Sequence, residues 1–535
     1  MIKYILILLL ISFNLSFAQF KPHMFYLPGE SKLNKTESEN PSSNSISDIL
    51  TVGDTVWVGS NNGVSLSTDR GTSWKNFNNT PAFGTESASA IAYDKGIFWA
   101  STAHSTDQSG TSYPEGSGLR YTTDQGITWT TIQEPVDPIS DSVVTYGINQ
   151  LRAVPVTVKI QNLIYDIAIT HTVDGKPVIW IATFAGGLRR SFDMGATWQR
   201  VVIPPDNLNS IKPTDTLDFC LSPVGGKICS DNNLNYRVFS VISVNDSTVY
   251  VGTAGGINKT TNAQDSFPGW VKYNHNNQDH PISGNFVVAL QQFNGRVWGA
   301  TWKAEGESES YGVSMTSDGG NTWDTFLNGE KAHNFGFTVT NDVIACTDDG
   351  AFRSADVGAS WLLPNSITDN TTKVHLSTTV IYAAASQNNL IWIGSDAGLV
   401  RLNETPGLMW QGQWKIFLVS PLLTSSKETF AYPNPFSPKI SPYKIKIKYS
   451  TGGKNANVTI RIFDFGMNYI KMVISNTPRG QYSHVVDSFN LNTNGVIDEW
   501  DGTDERGNIV PNGVYFYRIE VGSDNPIYGK IIVLQ

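Results

Sequence analysis

One eight-residue pattern recurs five times and constrains the fold more than any other feature of the chain. It reads Ser or Thr, any residue, Asp, any residue, Gly, any residue, Thr or Ser, and Trp, at residues 67–74, 122–129, 191–198, 316–323 and 354–361. Five equivalent aspartates in five separate turns point in different directions and cannot converge on one substrate. The pattern therefore indicates an architectural repeat and not a reactive group.

The segments around each copy share one order of elements. A hydrophobic strand, a Gly turn, another strand, the eight-residue box and a Trp-led strand follow one another, as in residues 54–77 and 176–201. An alternating segment precedes each, which makes four short strands per unit. The hydrophobic second strand begins at residues 56, 98, 179, 249, 297, 343 and 391. Such repeats predict an all-β fold with a seven-bladed β-propeller over residues 45–420, and six or eight blades are the alternatives.

The eight-residue box resembles the Asp-box (BNR) repeat of sialidases, sortilin-like receptors, some endoglucanases and the photosystem assembly factors. The resemblance covers roughly residues 45 to 420, and it implies propeller architecture while saying little about activity. We expect each box Asp to accept hydrogen bonds from nearby backbone N–H groups and so to hold a turn. We expect the box Trp to pack between blades with its indole N–H hydrogen-bonded. The structural aspartates are Asp69, Asp124, Asp193, Asp318 and Asp356.

The N-terminal residues and the composition predict an exported protein. Residues 1–18 contain Lys3, an apolar stretch and the small residues Ser16 and Ala18, which is the pattern of a signal peptide cleaved before Gln19. The apolar run is shorter than the 20 or so residues that a membrane span needs, and we expect no membrane span after signal removal. The formal charge of −9 argues against a nucleic-acid partner. The expected location is outside the cell or on its outer surface, reached through the periplasm, with residues 19–44 as an N-terminal extension.

The three cysteines divide into a close pair and a single residue. Cys220 and Cys229 flank a Pro-Gly-Gly loop and are expected either to form a disulfide after export or to remain two free thiols. Cys346 lies in an apolar strand and is expected to be a buried small side chain. Without CxxC spacing the three cysteines do not form a zinc site.

Four insertions interrupt the otherwise short turns between strands. Residues 101–118 and 301–312 replace a tiny second-to-third turn with a long polar segment, and residues 131–160 and 204–235 expand two connections between blades. All four are expected on the same face of the propeller, where they form a binding surface off the channel axis. The alternative is that they are solvated loops without a ligand. The candidate contact residues are His104, Asp107, Tyr113, Glu115, Trp302, Glu305, Glu307 and Glu309.

The leading functional class is a binding or scaffold protein for an extracellular glycan or protein. The alternative is a secreted glycoside hydrolase of sialidase-like or endoglucanase-like type, since two carboxyl groups across a scissile bond perform that chemistry. No spacing singles out such a pair, and Arg152, Arg237 and Arg296 are scattered where a sialidase needs three convergent arginines. Catalytic residues are therefore left unassigned. A third option is an assembly factor like the photosystem relatives.

The repeat pattern ends after residue 420, where a linker over 421–430 precedes a second domain over 431–535. Short antiparallel strands there predict an Ig-like sandwich. The segment resembles the FlgD-like Ig fold and the type A C-terminal sorting domain of type IX secretion. The resemblance implies that the secretion machinery is a partner and that the domain is afterwards removed or used as an anchor. The alternative is a plain structural sandwich. The residues that carry the resemblance are Tyr432, Pro433, Asn434, Pro435, Phe436, Trp500, Asp501, Gly502, Asp504, Gly507, residues 512–518 and Lys530.

Residues 490–501 have the oxygen spacing of a calcium loop. Asn490, Asn492 and Asn494 stand at positions one, three and five, and Asp501 stands at position twelve. Asn replaces the usual Asp at the first position and Asp replaces Glu at the last. Calcium is therefore weighed against an Asx-rich turn, and no other cofactor is expected.

Overall fold

The computed structural model describes residues 37–226, 229–230, 232–371, 375–376, 378–419, 427–432, 434–439, 444–452, 454–480 and 496–534. In this part of the chain the protein is all-β, with strands β1 to β39 and one short 3-10 helix, Leu234–Tyr236. The predicted signal peptide, most of the N-terminal extension and most of the linker lie outside the described residues. These residues form two compact units.

Sheets 1, 2 and 3 each contain four consecutive antiparallel strands, and one parallel pair between β4 and β6 joins sheets 1 and 2. Sheet 1 contains β2 (Ile46–Val52), β3 (Thr55–Ser60), β4 (Gly63–Ser67) and β5 (Trp74–Asn76), with β1 (Glu37–Ser38) beside β5. Sheet 2 contains β6 (Ser87–Asp94), β7 (Ile97–Gln108), β8 (Thr111–Thr122) and β9 (Thr130–Ile132). An insertion sheet contains β10 (Val143–Tyr146), β11 (Asn149–Ala153) and β17 (Cys220–Leu221), and sheet 3 contains β12 (Ile164–His171), β13 (Pro177–Thr183), β14 (Gly187–Ser191) and β15 (Gln199–Arg200).

Four more sheets follow in the same manner. Sheet 4 contains β18 (Val238–Ser243), β19 (Val249–Thr253), β20 (Gly256–Thr260) and β21 (Trp270–Tyr273), with β16 (Ser210–Ile211) beside β21. Sheet 5 contains β22 (Phe286–Phe293), β23 (Arg296–Trp302), β24 (Gly312–Thr316) and β25 (Asp324–Phe326), and sheet 6 contains β26 (Ala332–Phe337), β27 (Val343–Thr347) and β28 (Gly350–Ser354). Sheet 7 contains β29 (Ile381–Gln387), β30 (Leu390–Ser395), β31 (Leu399–Glu404) and β32 (Gly412–Phe417). The predicted second strands correspond to β3, β7, β13, β19, β23, β27 and β30.

The first compact unit contains residues 37–361, 380–388 and 393–396. Within it, one channel of about 810 Å³ is lined by one strand from each of the seven sheets. These strands, here called the first strands, are β2, β6, β12, β18, β22, β26 and β29. Each of these strands packs against the first strand of the next sheet, and β29 packs against β2. Thr51 Oγ1 of β2 donates to the carbonyl of Ser386 in β29 at 2.8 Å. The sheets therefore have a propeller arrangement around the channel.

The core of this unit lies between neighbouring sheets, because each sheet is covered on both faces. Trp57, Trp99 and Trp180, all on second strands, are almost completely buried. The Trp57 ring stacks on Phe98 of the next sheet with the ring centroids 3.8 Å apart. Strands that are buried on both faces have near-continuous apolar runs, which is why the second strands stand out in the sequence.

The second compact unit contains residues 362–379, 389–392 and those from 397 onward. Its C-terminal part has two antiparallel sheets over one core. One sheet contains β33 (Thr429–Tyr432), β34 (Ile445–Tyr449) and β37 (Val496–Trp500), and the other contains β35 (Ala456–Phe463), β36 (Tyr469–Arg479), β38 (Gly513–Val521) and β39 (Ile527–Val533). The Phe436 N–H donates to the Ile532 carbonyl at 2.8 Å, and the Ile532 N–H donates to Asn434 Oδ1 at 2.8 Å. Asn434 and Phe436, two of the motif residues that the sequence indicates, are thus hydrogen-bonded to β39, the last strand.

Candidate functional site

The box aspartates bond within their own turns. Asp124 Oδ1 accepts the Thr128 N–H at 2.9 Å and the Thr122 hydroxyl at 2.7 Å, while the Thr128 hydroxyl donates to Oδ2 at 2.6 Å. The other four boxes repeat these three bonds. The bonds from Thr128 and then Thr122 lower the pKa of Asp124 to about 2. Each carboxylate is thus ionised and committed to its turn, which leaves it no role in chemistry.

The box glycine meets two structural requirements, one for its backbone conformation and one for its packing. Gly126 has φ +78°, which favours glycine. A Cβ atom at Gly126 would also lie 2.3 Å from the ring of Phe77, which belongs to the preceding sheet. Gly195 meets Ile132 and Gly320 meets Tyr273 in the same way. The glycine therefore lets each box turn approach the outer strand of its neighbour.

A sixth box is present in sheet 4 with Asn in place of Asp. Thr260 Oγ1 donates to Asn262 Oδ1 at 2.8 Å, and the Gly269 N–H donates to the same oxygen at 3.0 Å. The amide oxygen thus takes over part of the carboxylate's role. A Thr-x-Asn step ahead of Trp270 is the sequence signal for this degenerate copy.

The prediction that the box tryptophans have hydrogen-bonded indole N–H groups is wrong for four of them. The Nε1 atoms of Trp129, Trp198, Trp323 and Trp361 are buried and have no acceptor among the described residues. Trp129 instead meets the Phe83 ring edge-on at a centroid distance of 4.7 Å. The contribution of these residues is therefore apolar and aromatic packing.

The insertion at residues 101–118 is a regular extension of the β7–β8 hairpin and not an irregular loop. The hairpin turns at Ser109 and Gly110, both at positive φ, and Asp107 Oδ1 accepts the Gly110 N–H at 3.0 Å. His104 Nδ1 lies 3.2 Å from Glu86 Oε2, and its Nε2 lies 3.6 Å from Glu115 Oε2. The structure thus brings the predicted residues His104 and Glu115 together, and it adds Glu86, which sequence reasoning missed.

The hairpin residue Tyr113 is half-buried and faces Thr106 across the strand pair. The Thr106 hydroxyl donates to Glu115 Oε2 at 2.5 Å. The polar groups of this hairpin therefore satisfy one another.

The insertion at residues 301–312 is built around Glu309, which we had expected to face a ligand. Its carboxylate is buried and accepts the N–H groups of Asn285 at 2.9 Å and Ala304 at 2.8 Å, with further bonds from the Asn285 amide and the Gly306 N–H. That expectation is corrected, because these donors use the carboxylate to hold the loop. Glu305 and Glu307 remain exposed.

The two expanded connections are packed and cross-linked. Cys220 and Cys229 are joined by a disulfide with the Cα atoms 5.8 Å apart. Asp137 receives two hydrogen bonds from Arg189, at 2.7 and 2.9 Å, with both side chains buried. Cys346 is buried, and burial raises the pKa of its thiol.

The channel mouth contains an arrangement that sequence reasoning missed. In six of the seven first strands a β-bulge inserts one extra residue near the start, and that residue lines the channel. In sheets 3, 4 and 6 the extra residue is aromatic: Tyr165, Phe239 and His333. Together with rings beside them they form a continuous row, here called the aromatic arc, which consists of Tyr165, Phe239, Phe286, Trp302, His333 and Tyr382.

The rings of the aromatic arc contact one another in sequence from sheet 3 to sheet 7. The centroid distances are 5.1 Å from Tyr165 to Phe239, 4.6 Å on to Phe286 and 5.9 Å on to Trp302. They continue with 5.6 Å from Trp302 to His333 and 5.1 Å from His333 to Tyr382. Tyr165 remains 37% exposed. Of the candidate residues from the sequence, Trp302 alone belongs to this row.

Two carboxyl groups come one residue after a bulge residue along their strands. Asp166 Oδ2 accepts the Ser240 hydroxyl at 2.7 Å and the Val241 N–H at 2.9 Å from the next sheet, while Asp48 Oδ1 accepts the Ile49 N–H at 2.8 Å. Both side chains are half-exposed to the channel but enclosed by the surrounding strands. Burial and then the neighbouring Asp166 charge raise the pKa of Asp48 to about 7, and burial raises that of Asp166 to about 6.

The described residues contain no cluster of three or more His, Cys, Asp or Glu side chains arranged for a metal ion. The calcium candidates Asn490, Asn492 and Asn494 lie outside the described residues. Asp501 Oδ1 accepts the Thr503 N–H at 3.0 Å and lies 3.5 Å from Lys471 Nζ. Calcium binding therefore stays a prediction. Within the part of the chain that the structure covers, no helix has the length and hydrophobicity to span a membrane.

No family model and no curated protein matches the chain. Solved structures with a similar fold include PorZ, a bacterial surface component of the type IX secretion system of Porphyromonas gingivalis, at 12% identity over 92% of this chain and 66% of that chain, with a TM-score of 0.38. An ancestral GH74 enzyme is 12% identical over 91% of this chain and 62% of its own, with a TM-score of 0.48. YCF48 from Cyanidioschyzon merolae is 12% identical over 63% and 85%, with a TM-score of 0.37. The chain spans less than two thirds of the first two structures, and likenesses this distant assign no activity.

Proposed function

We propose that this chain is an exported or cell-surface binding protein, made of a seven-bladed β-propeller and an Ig-like C-terminal domain. Its ligand, an extracellular glycan or protein, binds at the channel mouth against the aromatic arc. The observation that carries this proposal is the unbroken row of six rings beside an open channel of about 810 Å³. Concave sites with exposed aromatic walls and a few polar groups are typical of ligand binding.

Three of the candidate carboxyl groups already accept hydrogen bonds from the protein, which supports the binding function. A glycoside hydrolase needs two carboxyl groups that face each other across the scissile bond. Glu309 is surrounded by N–H donors, and Asp107 caps its own turn. Asp166 accepts hydrogen bonds that join sheets 3 and 4. The glycoside hydrolase remains the alternative, and turnover of chromogenic glycosides by the mature protein would establish it.

Substitution of two tyrosines distinguishes binding at the channel mouth from binding at the insertion surface that the sequence predicts. Tyr165 lies in the aromatic arc, and Tyr113 lies on the β7–β8 hairpin. If a glycan array identifies a ligand, we expect Tyr165→Ala to weaken its binding about fivefold or more, because truncation of an aromatic side chain at a binding site costs about 1 kcal/mol or more. Tyr113→Ala is the matched control and should bind normally. The reverse result would move the site to the hairpin, and unchanged binding in both variants would refute the proposal.

We also propose that residues 431–535 direct secretion of the type IX kind. The support is the motif set around Asn434, Phe436 and Trp500, whose members lie in or beside the core of the C-terminal sheets. A chain that ends at residue 430 should stay in the periplasm of a host with this secretion system, while the full chain reaches the surface or the medium. Equal export of the two chains would refute this role.

A further inference from the structure

We propose that the ligand is a glycan with free amino groups, whose sugar rings lie on the aromatic arc and whose ammonium group points toward the carboxyl groups of the channel. This inference rests on the proposed binding function and adds the chemical class of the ligand. It follows from the carboxyl groups of the channel lining, from the position of Asp166 directly after a ring of the aromatic arc and from the uneven lining of the mouth.

Apart from the tyrosines, the titratable side chains that line the channel are mainly carboxyl groups. The described residues that line it include Asp48, Asp94, Asp166 and His333, and among them there is no Lys or Arg. Lys331 Nζ lies 4.3 Å over the Trp302 ring beside the aromatic arc, but Lys331 is not part of the channel lining. A low-dielectric wall with charges of one sign concentrates ions of the opposite sign. The channel therefore favours cations and disfavours acidic sugars.

One of these carboxyl groups and one ring of the aromatic arc come from neighbouring residues of β12, and both border the channel. Asp166 follows Tyr165 directly, and Ser240, which donates to Asp166, follows Phe239. Asp166 accepts three hydrogen bonds from the protein, and an ionised carboxylate has about four acceptor positions. A protonated amine fits the remaining position, and the faces of the neighbouring rings attract the same charge.

The two halves of the channel mouth present different chemical groups, and this combination fits a sugar. Sheets 3 to 7 contribute the rings of the aromatic arc, whereas sheets 1 and 2 contribute Ser45, Ser47 and Ser89 to the channel lining. Rings pack against the apolar face of a pyranose, and serine hydroxyls bond to its hydroxyl groups. An amino sugar contacts the rings, the hydroxyls and the carboxyl groups together, while a simple amine contacts only the carboxyl groups.

The test compares three probes on the full mature chain by calorimetry at pH 7: the tetramer of glucosamine, the tetramer of N-acetylglucosamine and tri-lysine. We expect the glucosamine tetramer to bind at least about tenfold more tightly than the other two, because one ammonium–carboxylate interaction of about 1.4 kcal/mol corresponds to a factor of ten. This preference should fall as salt is raised, since salt screens the charges. Asp48→Asn should reduce the preference, and Asp54→Asn, which removes a surface charge paired with Arg70, should leave it unchanged.

The outcomes separate this inference from the proposed function. If both sugar tetramers bind equally and Tyr165→Ala weakens both, the channel mouth binds glycans but the amine plays no part, and this inference is overturned. If tri-lysine binds as tightly as the glucosamine tetramer, the sugar ring is unnecessary and the inference is again overturned. If none of the probes binds, the inference fails, while a different ligand from the array keeps the proposed function. Thermal unfolding of Asp48→Asn shows whether a loss of binding comes from misfolding.

Discussion

Replacement of Gly126 by Ala tests whether the box turns depend on close approach between neighbouring sheets. Gly126 has φ +78°, and a Cβ atom there would lie 2.3 Å from the Phe77 ring. Phe77 is almost completely buried, so its ring has little room to move away. The substitution therefore combines a backbone strain with a collision in the core.

The two costs have different sizes and can be separated. An Ala residue held at positive φ costs about 1 kcal/mol, and overpacking of a filled core costs about 1–3 kcal/mol more. Gly175 has φ +80° and no atom within 4 Å of its missing Cβ. We therefore expect Gly126→Ala to lower the free energy of unfolding by about 2–4 kcal/mol, and Gly175→Ala by about 1 kcal/mol.

Urea unfolding followed by tryptophan fluorescence measures this difference. Fourteen of the 15 tryptophans precede residue 420, so the signal reports mainly on the repeats. Phe77→Leu removes part of the ring and should recover some of the loss in the double variant. Equal losses for Gly126→Ala and Gly175→Ala, within about 0.5 kcal/mol, would refute the packing argument and leave only the backbone effect.

Three further predictions follow from single side chains. Val357 has φ +61° in its box, so Val357→Asn should raise the free energy of unfolding by about 1 kcal/mol in the same urea experiment; a loss of stability would contradict the strain. Glu309→Gln replaces one acceptor oxygen by a donor facing N–H groups and should cost about 1–3 kcal/mol, with faster proteolysis at residues 303–311; unchanged proteolysis would speak against the clamp. Because the pKa of Asp48 is raised to about 7, the folded protein binds this proton more tightly than the unfolded chain does, and stability falls as the pH rises from about 4 through 7. Asp48→Asn should therefore be more stable than the natural protein at pH 8 and equal to it at pH 4, by less than about 4 kcal/mol because channel water screens the charge, and thermal unfolding at both pH values measures it.

The repeat could be predicted from the sequence because its signals are local. The spacing of Asp124, Gly126 and Thr128 encodes a turn within eight residues, and each apolar second strand has a continuous buried run, as in residues 98–103 of β7. The packing of Gly126 on Phe77 was not predictable in the same way, because it depends on how consecutive sheets meet.

The aromatic arc is invisible in the sequence for a related reason. The bulge residue is Ser47 in sheet 1, Tyr165 in sheet 3 and Val288 in sheet 5, so no residue type marks the position. The rings become neighbours only when the first strands surround the channel. Glu309 shows the opposite error: a charged residue in a polar loop is predicted to contact a ligand, while its carboxylate is the centre of the loop.

The contact between Thr51 and Ser386 bears on how the ring is assembled. The four consecutive strands of each sheet, or three in sheet 6, come from one stretch of chain, so none of them has to wait for a strand from the far terminus. These sheets can therefore form one after another along the chain, and only the seam between β2 and β29 closes at the end. A chain permuted so that its termini fall between two other sheets should move that seam without losing any strand pairing.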